Sequence, residues 1–155
     1  LTTNLELHLD FLIDVWTVSE DQKKIIIQIF DEYKDLINDC ECCLVHHDLA
    51  DHNLMYDPER KGLAWIFDWE AMVLGDPMLD LASCPTWATH YPRKQLLLNG
   101  YASVKDLPYD YELRIDLYEL RTWIWKIMFV IRMKFSDEVR DSMIEKLNQV
   151  LGRLK

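Results

Sequence analysis

The chain of 155 residues is half hydrophobic and carries a formal net charge of −10. This length suits a single domain with its own core, and the acidic balance argues against nucleic acid, whose phosphates attract basic surface. The most apolar run, Trp123 to Ile131, is too short to span a bilayer and contains Lys126, so we also expect no membrane partner. An acidic surface favours cationic small molecules, although the same charge balance also keeps a cytosolic protein in solution.

The four cysteines do not have the pattern of a disulfide framework. Cys40, Cys42 and Cys43 crowd one short stretch, where adjacent side chains point to opposite faces and pair poorly. We therefore expect reduced thiols and a cytoplasmic location. A zinc site built from these cysteines and the nearby histidines is the alternative, but the spaced ligand pairs of structural zinc sites are absent.

Two amphipathic helices are predicted in the first quarter of the chain. Large apolar side chains recur at helical spacing over residues 5–18, with acids between them. Ser19 and Gln22 then form a capping box, with two acids in the first turn of the helix that follows. That helix is predicted to run to about Asn38.

Three short strands and two polar turns are predicted next. Residues 44–57 contain an apolar strand, a turn rich in ionisable groups, and a second apolar strand. The turn at residues 57–62 contains Pro and Gly and joins the strand at residues 53–56 to a strand at residues 63–67. The last two strands are therefore predicted to form a hairpin.

This hairpin should gather three oxygen-bearing side chains at one edge. Asp48 and Asn53 lie in the first polar turn, and Asp68 directly follows the last strand. Carboxylate and amide oxygens around a small volume suit a hard, hydrated cation beside a hydroxyl substrate.

The remainder of the chain is predicted to be helical. Gly75-Asp76-Pro77 breaks the chain before helices at residues 78–90, 93–102, 111–135 and 138–154, the last preceded by a cap at Ser136. The fold class is therefore α+β and mostly α-helical, with a small β-hairpin carrying the polar turn.

Three motifs follow one another in this part of the sequence: His46-x-Asp48-x4-Asn53, Ile66-Phe67-Asp68-Trp69-Glu70 and Gly75-Asp76-Pro77-x-x-Asp80-Leu81-Ala82. Together they resemble the catalytic half of the aminoglycoside phosphotransferase family, which has a protein-kinase-like fold and includes related kinases such as choline kinase. The resemblance covers residues 40–90 directly. It implies that this chain is the carboxy-terminal lobe of that fold.

The resemblance implies roles for the motif residues. Asp48 corresponds to the aspartate that orients the attacking hydroxyl and accepts its proton, and Asn53 and Asp68 correspond to ligands of Mg²⁺. Residues that support the catalytic loop through hydrogen bonds to its backbone correspond to His46, Asp76 and Asp80. Any one of these residues alone would be an ordinary turn residue, but the ordered set favours function.

Four further residues have two interpretations each. Glu70 suits a cationic substrate or a second metal, and equally a surface salt bridge. His47 stands where the family has a small residue, either at the substrate rim or facing water, and we favour water. Met55 and Phe67 suit either the floor under the adenine or plain core packing.

Several acids lie in the helical part that, in this family, lines the acceptor pocket. Cationic amines would be attracted to them, but a charge run at helical spacing is usually a solvated face. These acids are Asp106, Asp110, Glu112, Asp116 and Glu119.

Parts of a complete kinase are missing from this sequence. It has no Gly-rich phosphate loop and no strand lysine in a Val-Ala-x-Lys setting, and it does not begin with Met. We therefore expect residues 1–155 to be one domain of a longer protein whose amino-terminal nucleotide lobe is absent here. The isolated chain is expected to be inactive.

The function implied by the resemblance is phosphoryl transfer. The γ-phosphoryl group of ATP or GTP would move, with Mg²⁺, to a hydroxyl of a small cationic molecule, first of all an aminoglycoside, with antibiotic resistance as the consequence. The alternatives are a choline, amino-alcohol or sugar kinase of the same fold, and a kinase-like lobe that only binds. Retention of Asp48, Asn53 and Asp68 argues against the last alternative.

Overall fold

The computed structural model describes residues 4–87 and 93–155, which form seven α-helices and four short strands. The helices are α1 Leu5–Asp14, α2 Glu20–Glu32, α3 Lys34–Asn38, α4 Met78–Ser83, α5 Arg93–Ala102, α6 Tyr111–Arg132 and α7 Asp137–Arg153. The strands are β1 Cys43–Val45, β2 Leu54–Asp57, β3 Gly62–Ile66 and β4 Val73–Gly75. The predicted fold class, mostly α-helical with a small β-hairpin, is confirmed.

The chain divides into two compact units. Leu1–Asp39 and Glu112–Lys155 form the helical unit, and Cys40–Tyr111 forms the motif unit. All three sequence motifs lie in the motif unit, and the assignment of the chain to one lobe of a larger protein stays a prediction.

The helical unit begins as the sequence predicts. Leu5, Leu9 and Leu12 of α1 recur at helical spacing and are buried. The capping box is present at α2: the Ser19 hydroxyl accepts the Gln22 N–H at 3.1 Å, and the Gln22 side chain accepts the Ser19 N–H at 3.0 Å.

The boundaries of these first helices differ from the prediction. Helix α1 ends at Asp14 because Trp16 adopts a left-handed conformation with φ of 59°. The second predicted helix is divided at Tyr33 into α2 and α3.

Helices α6 and α7 complete the core of the helical unit. The core side chains are Leu5, Leu9, Leu12, Val18, Ile26, Ile29, Phe30, Leu117, Leu120, Ile124, Ile127, Met128, Leu147, Val150 and Leu151. Helix α6 stops at Arg132, three residues before the predicted end, and Lys134 has a positive φ. Ser136 caps α7 by accepting the Val139 N–H.

None of the helices in the described part of the chain is long and apolar enough to cross a membrane.

The motif unit contains two antiparallel strand pairs. Strands β2 and β3 form the predicted hairpin, and Asp57 accepts the N–H groups of Glu59 and Arg60 in its turn. Strand β1 pairs with β4, with Val45 opposite Val73. Strand β4 was not predicted.

The helix predicted at residues 78–90 is shorter than expected. Helix α4 ends at Ser83 and is followed by a 3₁₀ turn over Cys84–Trp87. Pro85 has no N–H to donate to the Leu81 carbonyl, so it cannot continue an α-helix. The predicted end of this helix, at Tyr91-Pro92, lies outside the described residues.

Candidate active site

The loop between β1 and β2 is anchored at its start by a carboxylate from α4. Asp80 Oδ2 accepts the backbone N–H of His46, and its Oδ1 accepts that of His47, both at 2.8 Å. Hydrogen bonds to an ionised acceptor are about twice as strong as neutral ones. Asp80 therefore fixes the backbone that leads into Asp48.

The His46 imidazole is enclosed and fully hydrogen-bonded. The side chain is 2% exposed, and Nε2 lies 2.7 Å from the Phe67 carbonyl oxygen. Because a carbonyl only accepts, Nε2 carries the proton, and Nδ1 is then the acceptor for the Asp48 N–H at 3.3 Å. Trp69 packs against the ring, with centroids 4.7 Å apart. Both nitrogens are occupied, which makes His46 unsuited to act as a base.

Asp48 and Asn53 are in direct contact. The Asn53 side chain is 3% exposed, and its Nδ2 donates to the Asp48 carbonyl at 2.8 Å and to the Asp48 Oδ2 at 3.3 Å. Asp48 itself is half-buried, and its Oδ1 makes no hydrogen bond to a described residue. One carboxylate oxygen is thus held in place and the other is available.

Asp68 lies beside Asn53 at the end of β3. The Phe67 N–H donates to the Asn53 carbonyl at 2.8 Å, which joins the two segments. Asp68 is exposed and left-handed, with φ of 59° and ψ of 63°, and the Trp69 indole N–H donates across this turn to the Ile66 carbonyl at 2.9 Å. The hairpin therefore brings the Asp48, Asn53 and Asp68 segments together.

His47 also has a left-handed backbone, with φ of 67°, and its side chain is exposed. A residue other than glycine in this region costs of order 1 kcal/mol or more, and such residues cluster at functional sites. The Asp80 hydrogen bond to the His47 N–H helps to maintain this conformation.

Asp76 is buried at the start of α4. Its Oδ1 accepts the Met78 N–H at 2.9 Å, so it fixes the beginning of the helix that carries Asp80. Burial raises the pKa of the nearby Cys43 thiol, and the carboxylates of Asp80 and Asp76 raise it further.

Met55, Phe67 and Glu70, which each had two interpretations, are all exposed in the structure. Met55 and Phe67 are 47% and 43% exposed, so neither is core within this chain. Glu70 is exposed in the 3₁₀ turn Trp69–Ala71 and forms no ion pair with a described residue.

Two of the acids expected near the acceptor are engaged in the helical unit. Arg153 donates to both carboxylate oxygens of Asp116, at 2.8 and 2.9 Å, and to Glu119 at 2.9 Å. These two carboxylates join α6 to α7.

The oxygen atoms of Asn53 and Asp68 suit Mg²⁺, which shares its ligands between protein, phosphates and water, better than a metal ion that binds protein atoms alone. No group of three or more His, Cys, Asp or Glu among residues 4–87 and 93–155 is arranged to hold a metal ion. Because Asn53 Nδ2 donates to the Asp48 carbonyl, Oδ1 is the Asn53 atom that could bind a metal ion. One carboxylate and one amide oxygen are typical for Mg²⁺, which takes its remaining ligands from phosphates and water.

The sequence reasoning did not single out Trp69 as a structural contact of the site. Its ring covers His46 and its indole N–H closes the Asp68 turn. A large aromatic residue directly after Asp68 was the signal in the sequence that could have predicted this contact. The apolar run before Gly75 was likewise a signal for β4.

Comparisons with known proteins give the family and the fold of this chain. Residues 7–110 match the model of a family described as the phosphotransferase enzyme family. A crystal structure of a thermostable mutant of aminoglycoside phosphotransferase APH(4)-Ia, apo form, matches with a TM-score of 0.62 and 17% identity over 88% of this chain. A crystal structure of aminoglycoside phosphotransferase APH(2'')-Ib, ADP-bound, matches with a TM-score of 0.59 and 20% identity over 96% of this chain. The predicted kinase-like fold is confirmed.

The matched proteins are all longer than this chain. The chain covers 46% and 50% of the two solved structures. A curated relative, acyl-CoA dehydrogenase family member 10 of Mus musculus, is 39% identical over 59 residues, which are 37% of this chain and 5% of that protein.

Proposed function

This chain belongs to the phosphotransferase enzyme family, and we propose that it supplies the catalytic half of an ATP- and Mg²⁺-dependent kinase that phosphorylates a hydroxyl of a small molecule. The observation that carries this proposal is the contact between Asn53 and Asp48 beside the Asp68 turn. Phosphoryl transfer needs positioned charges more than covalent chemistry, and this loop positions them.

Asp48 is the proposed base. Its Oδ2 is held by Asn53, and its Oδ1 faces no described hydrogen-bond donor. We propose that this oxygen orients the acceptor hydroxyl and takes its proton as the new O–P bond forms, while the bond from the γ-phosphorus to the β–γ bridging oxygen breaks and the nucleoside diphosphate leaves. Holding one oxygen restricts the carboxylate to one orientation, which lowers the entropic cost of positioning.

Asn53 and Asp68 are the proposed Mg²⁺ ligands. Asn53 contributes Oδ1, because its Nδ2 is used by Asp48, and Asp68 contributes its exposed carboxylate. Held there, Mg²⁺ would supply positive charge that offsets the negative charge of the phosphates. A single carboxylate holds the metal weakly enough for it to enter and leave with the nucleotide.

His46, Asp76 and Asp80 are proposed positioning residues. Asp80 holds the backbone of the loop, Asp76 fixes the helix that carries Asp80, and His46 links the Asp48 and Phe67 segments. Their loss would misplace Asp48 and the metal ligands and leave the reacting groups themselves intact.

The proposed acceptor is a small cationic molecule, with an aminoglycoside first. The net charge of −10 and the exposed carboxylate of Glu70 beside the Asp68 turn support a cation. The two solved relatives are aminoglycoside phosphotransferases, which supports this acceptor class. For the longer protein we also propose a role in antibiotic resistance and a cytoplasmic location. Choline, amino alcohols and sugars remain the alternative acceptors. The side chain of His47 would lie either at the rim of the acceptor site or in water.

The chain is proposed to be a carboxy-terminal lobe that works with an amino-terminal lobe outside it. The length of the solved relatives, about twice that of this chain, supports this. So does the exposure of large apolar side chains on and next to both strand pairs, since exposed apolar surface is where partners dock. These side chains are Leu44, Met55, Tyr56, Leu63, Trp65, Phe67, Val73 and Leu74.

Met55 and Phe67 are proposed to form part of the floor under the nucleotide base. Both are partly exposed on or next to the hairpin that leads to Asp68. One solved relative is ADP-bound, which supports a nucleotide partner, ATP or GTP.

The decisive experiment uses the longer protein with its upstream half. ATP turnover with Mg²⁺ is followed with aminoglycosides, choline and small sugars as acceptors, for wild type, Asp48→Asn and Glu59→Gln. We expect turnover that one acceptor class stimulates, lowered about 10²- to 10⁴-fold by Asp48→Asn because the base is lost. Glu59→Gln removes one exposed charge in the hairpin turn and should leave turnover unchanged.

Failure to bind nucleotide and Mg²⁺, in a protein shown to be folded, would contradict the proposal. That result would favour the alternative of a kinase-like domain that only binds a partner.

A further inference from the structure

Two cysteine side chains touch immediately before β1. The Sγ atoms of Cys40 and Cys42 lie 3.5 Å apart, within contact distance for two thiols. Cys42 is exposed and Cys40 is half-buried, and neither is in a disulfide. Nothing in phosphoryl transfer requires this pair.

The local backbone explains why these two cysteines meet. Cys40 lies in a bend, and Glu41 and Cys42 lead from this bend into β1, so that the two cysteine side chains meet. Glu41 lies between them and forms an ion pair with Lys105 at 2.7 Å, and the Lys105 ammonium lowers the pKa of the Glu41 carboxyl. The two thiols therefore share one side of a segment whose middle residue is tied elsewhere.

The remaining cysteines are poorly placed to compete. Cys43 follows Cys42 directly, so its side chain points to the other side, and burial raises the pKa of its thiol. A raised pKa lowers the fraction of thiolate, which is the reactive form. Cys84 is buried, with only 4% of its surface exposed.

We propose that Cys40 and Cys42 form a reversible dithiol–disulfide couple, a redox modification site whose oxidant is a low-molecular-mass disulfide of the glutathione type. The exposed Cys42 thiolate attacks one sulfur of the small disulfide and releases one thiolate. The Cys40 thiolate then attacks Cys42 Sγ and releases the second. The two protein thiols are oxidised by two electrons, the small disulfide is reduced to two thiols, and the two protein protons end on those thiols.

The proposed disulfide is of the labile kind. Its formation needs the Sγ atoms to approach from 3.5 Å to about 2.05 Å, so the short segment must adjust. A very short closed loop removes little entropy from the unfolded chain. Strained and exposed disulfides are more easily reduced than structural ones, so the couple responds to the redox state around it.

The test uses the position of Glu41 between the two cysteines, where a glutamate-specific protease can cleave the chain. The folded chain is equilibrated anaerobically with mixtures of reduced and oxidised glutathione, remaining thiols are alkylated, and the protein is cleaved on the carboxyl side of glutamate without reduction. Cleavage after Glu41 separates Cys40 from Cys42, so only their disulfide holds the two peptides together. We expect the linked pair at high oxidised glutathione and its loss after reduction.

Three variants, each checked by circular dichroism for folding, distinguish the partners. Cys42→Ser should abolish the linked pair, Cys43→Ser should leave it unchanged, and Cys40→Ser should accumulate a glutathione adduct on Cys42. A linked pair that persists in Cys42→Ser, no linked pair in wild type under excess oxidised glutathione, or a disulfide only between two copies of the chain would each overturn the proposal.

Discussion

The helical unit and the motif unit place their apolar side chains differently. All fifteen residues of the largest buried cluster belong to the helical unit. The motif unit instead exposes large apolar side chains on both of its strand pairs, including Trp65, Leu74 and Tyr56. The motif unit also buries apolar side chains, including Val45, Met78 and Ala82, but fewer of them than the helical unit.

Polar contacts connect the loop segments of the motif unit. Asp80 and His46 connect segments that are far apart in sequence through hydrogen bonds to backbone atoms, and Asn53 donates to the Asp48 carbonyl within the same loop. Such a network holds charged and polar groups at defined positions, which an apolar core cannot do. The comparison suggests that stability is concentrated in one unit and positioning in the other.

The largest effect on stability is expected from a leucine of the helical core. Leu120→Ala, at a side chain with 0% exposure, should lower the free energy of unfolding by about 2–5 kcal/mol, because it removes buried methyl groups and leaves a cavity. Leu74→Ala in the motif unit, where the side chain is 80% exposed, is the matched control and should change it by under about 0.5 kcal/mol. Chemical denaturation measures both, and equal effects would contradict the comparison.

A smaller effect is expected from the polar network. Asp80→Ala leaves the N–H groups of His46 and His47 without their acceptor and should cost about 1–3 kcal/mol. Hydrogen exchange at these two amides should be faster in the variant than in wild type, and this acceleration should exceed that of other amides. Asp106→Ala, an exposed aspartate of the same unit, is the control and should leave both amides protected. Unchanged protection of these two amides in Asp80→Ala would show that the Asp80 hydrogen bonds do not hold the loop.

The smallest effect concerns pH and the helical unit. Burial lowers the pKa of His8, and the charges of Arg121 and Arg132 lower it further. The unfolded chain therefore binds more protons than the folded one just below the ordinary histidine pKa of about 6.5, so stability rises with pH there.

The contribution of His8 is present in full above the ordinary value and is lost as pH falls through the folded value. His8→Gln should flatten the dependence of the denaturation midpoint on pH in this window. His52→Gln, an exposed histidine of the motif unit, is the control. An unchanged slope in His8→Gln would remove His8 as the cause.

Local features of the fold were predictable because their causes are local. The Ser19 capping box and the turn at Asp57 depend on hydrogen bonds between residues two or three apart. The end of α4 is a partial exception. Pro85 was visible in the sequence, but the helix was still predicted to continue beyond it.

The grouping of Asp48, Asn53 and Asp68 was predictable for a related reason. A hairpin brings its two ends together whenever its turn is short, and only four residues separate the paired Asp57 and Gly62. The roles of these residues stay predictions until turnover is measured.

By itself the sequence determined the helices, the hairpin and the identity of the side chains at its edge, because periodicity and turn chemistry act over a few residues. Only the tertiary structure decided the pairing of β1 with β4. It also decided the hydrogen bonds from Asp80 to backbone more than thirty positions earlier, and the ion pair between Asp116 and Arg153. These contacts join segments distant in sequence. Their geometry depends on how several elements pack at once, and no local pattern encodes that arrangement.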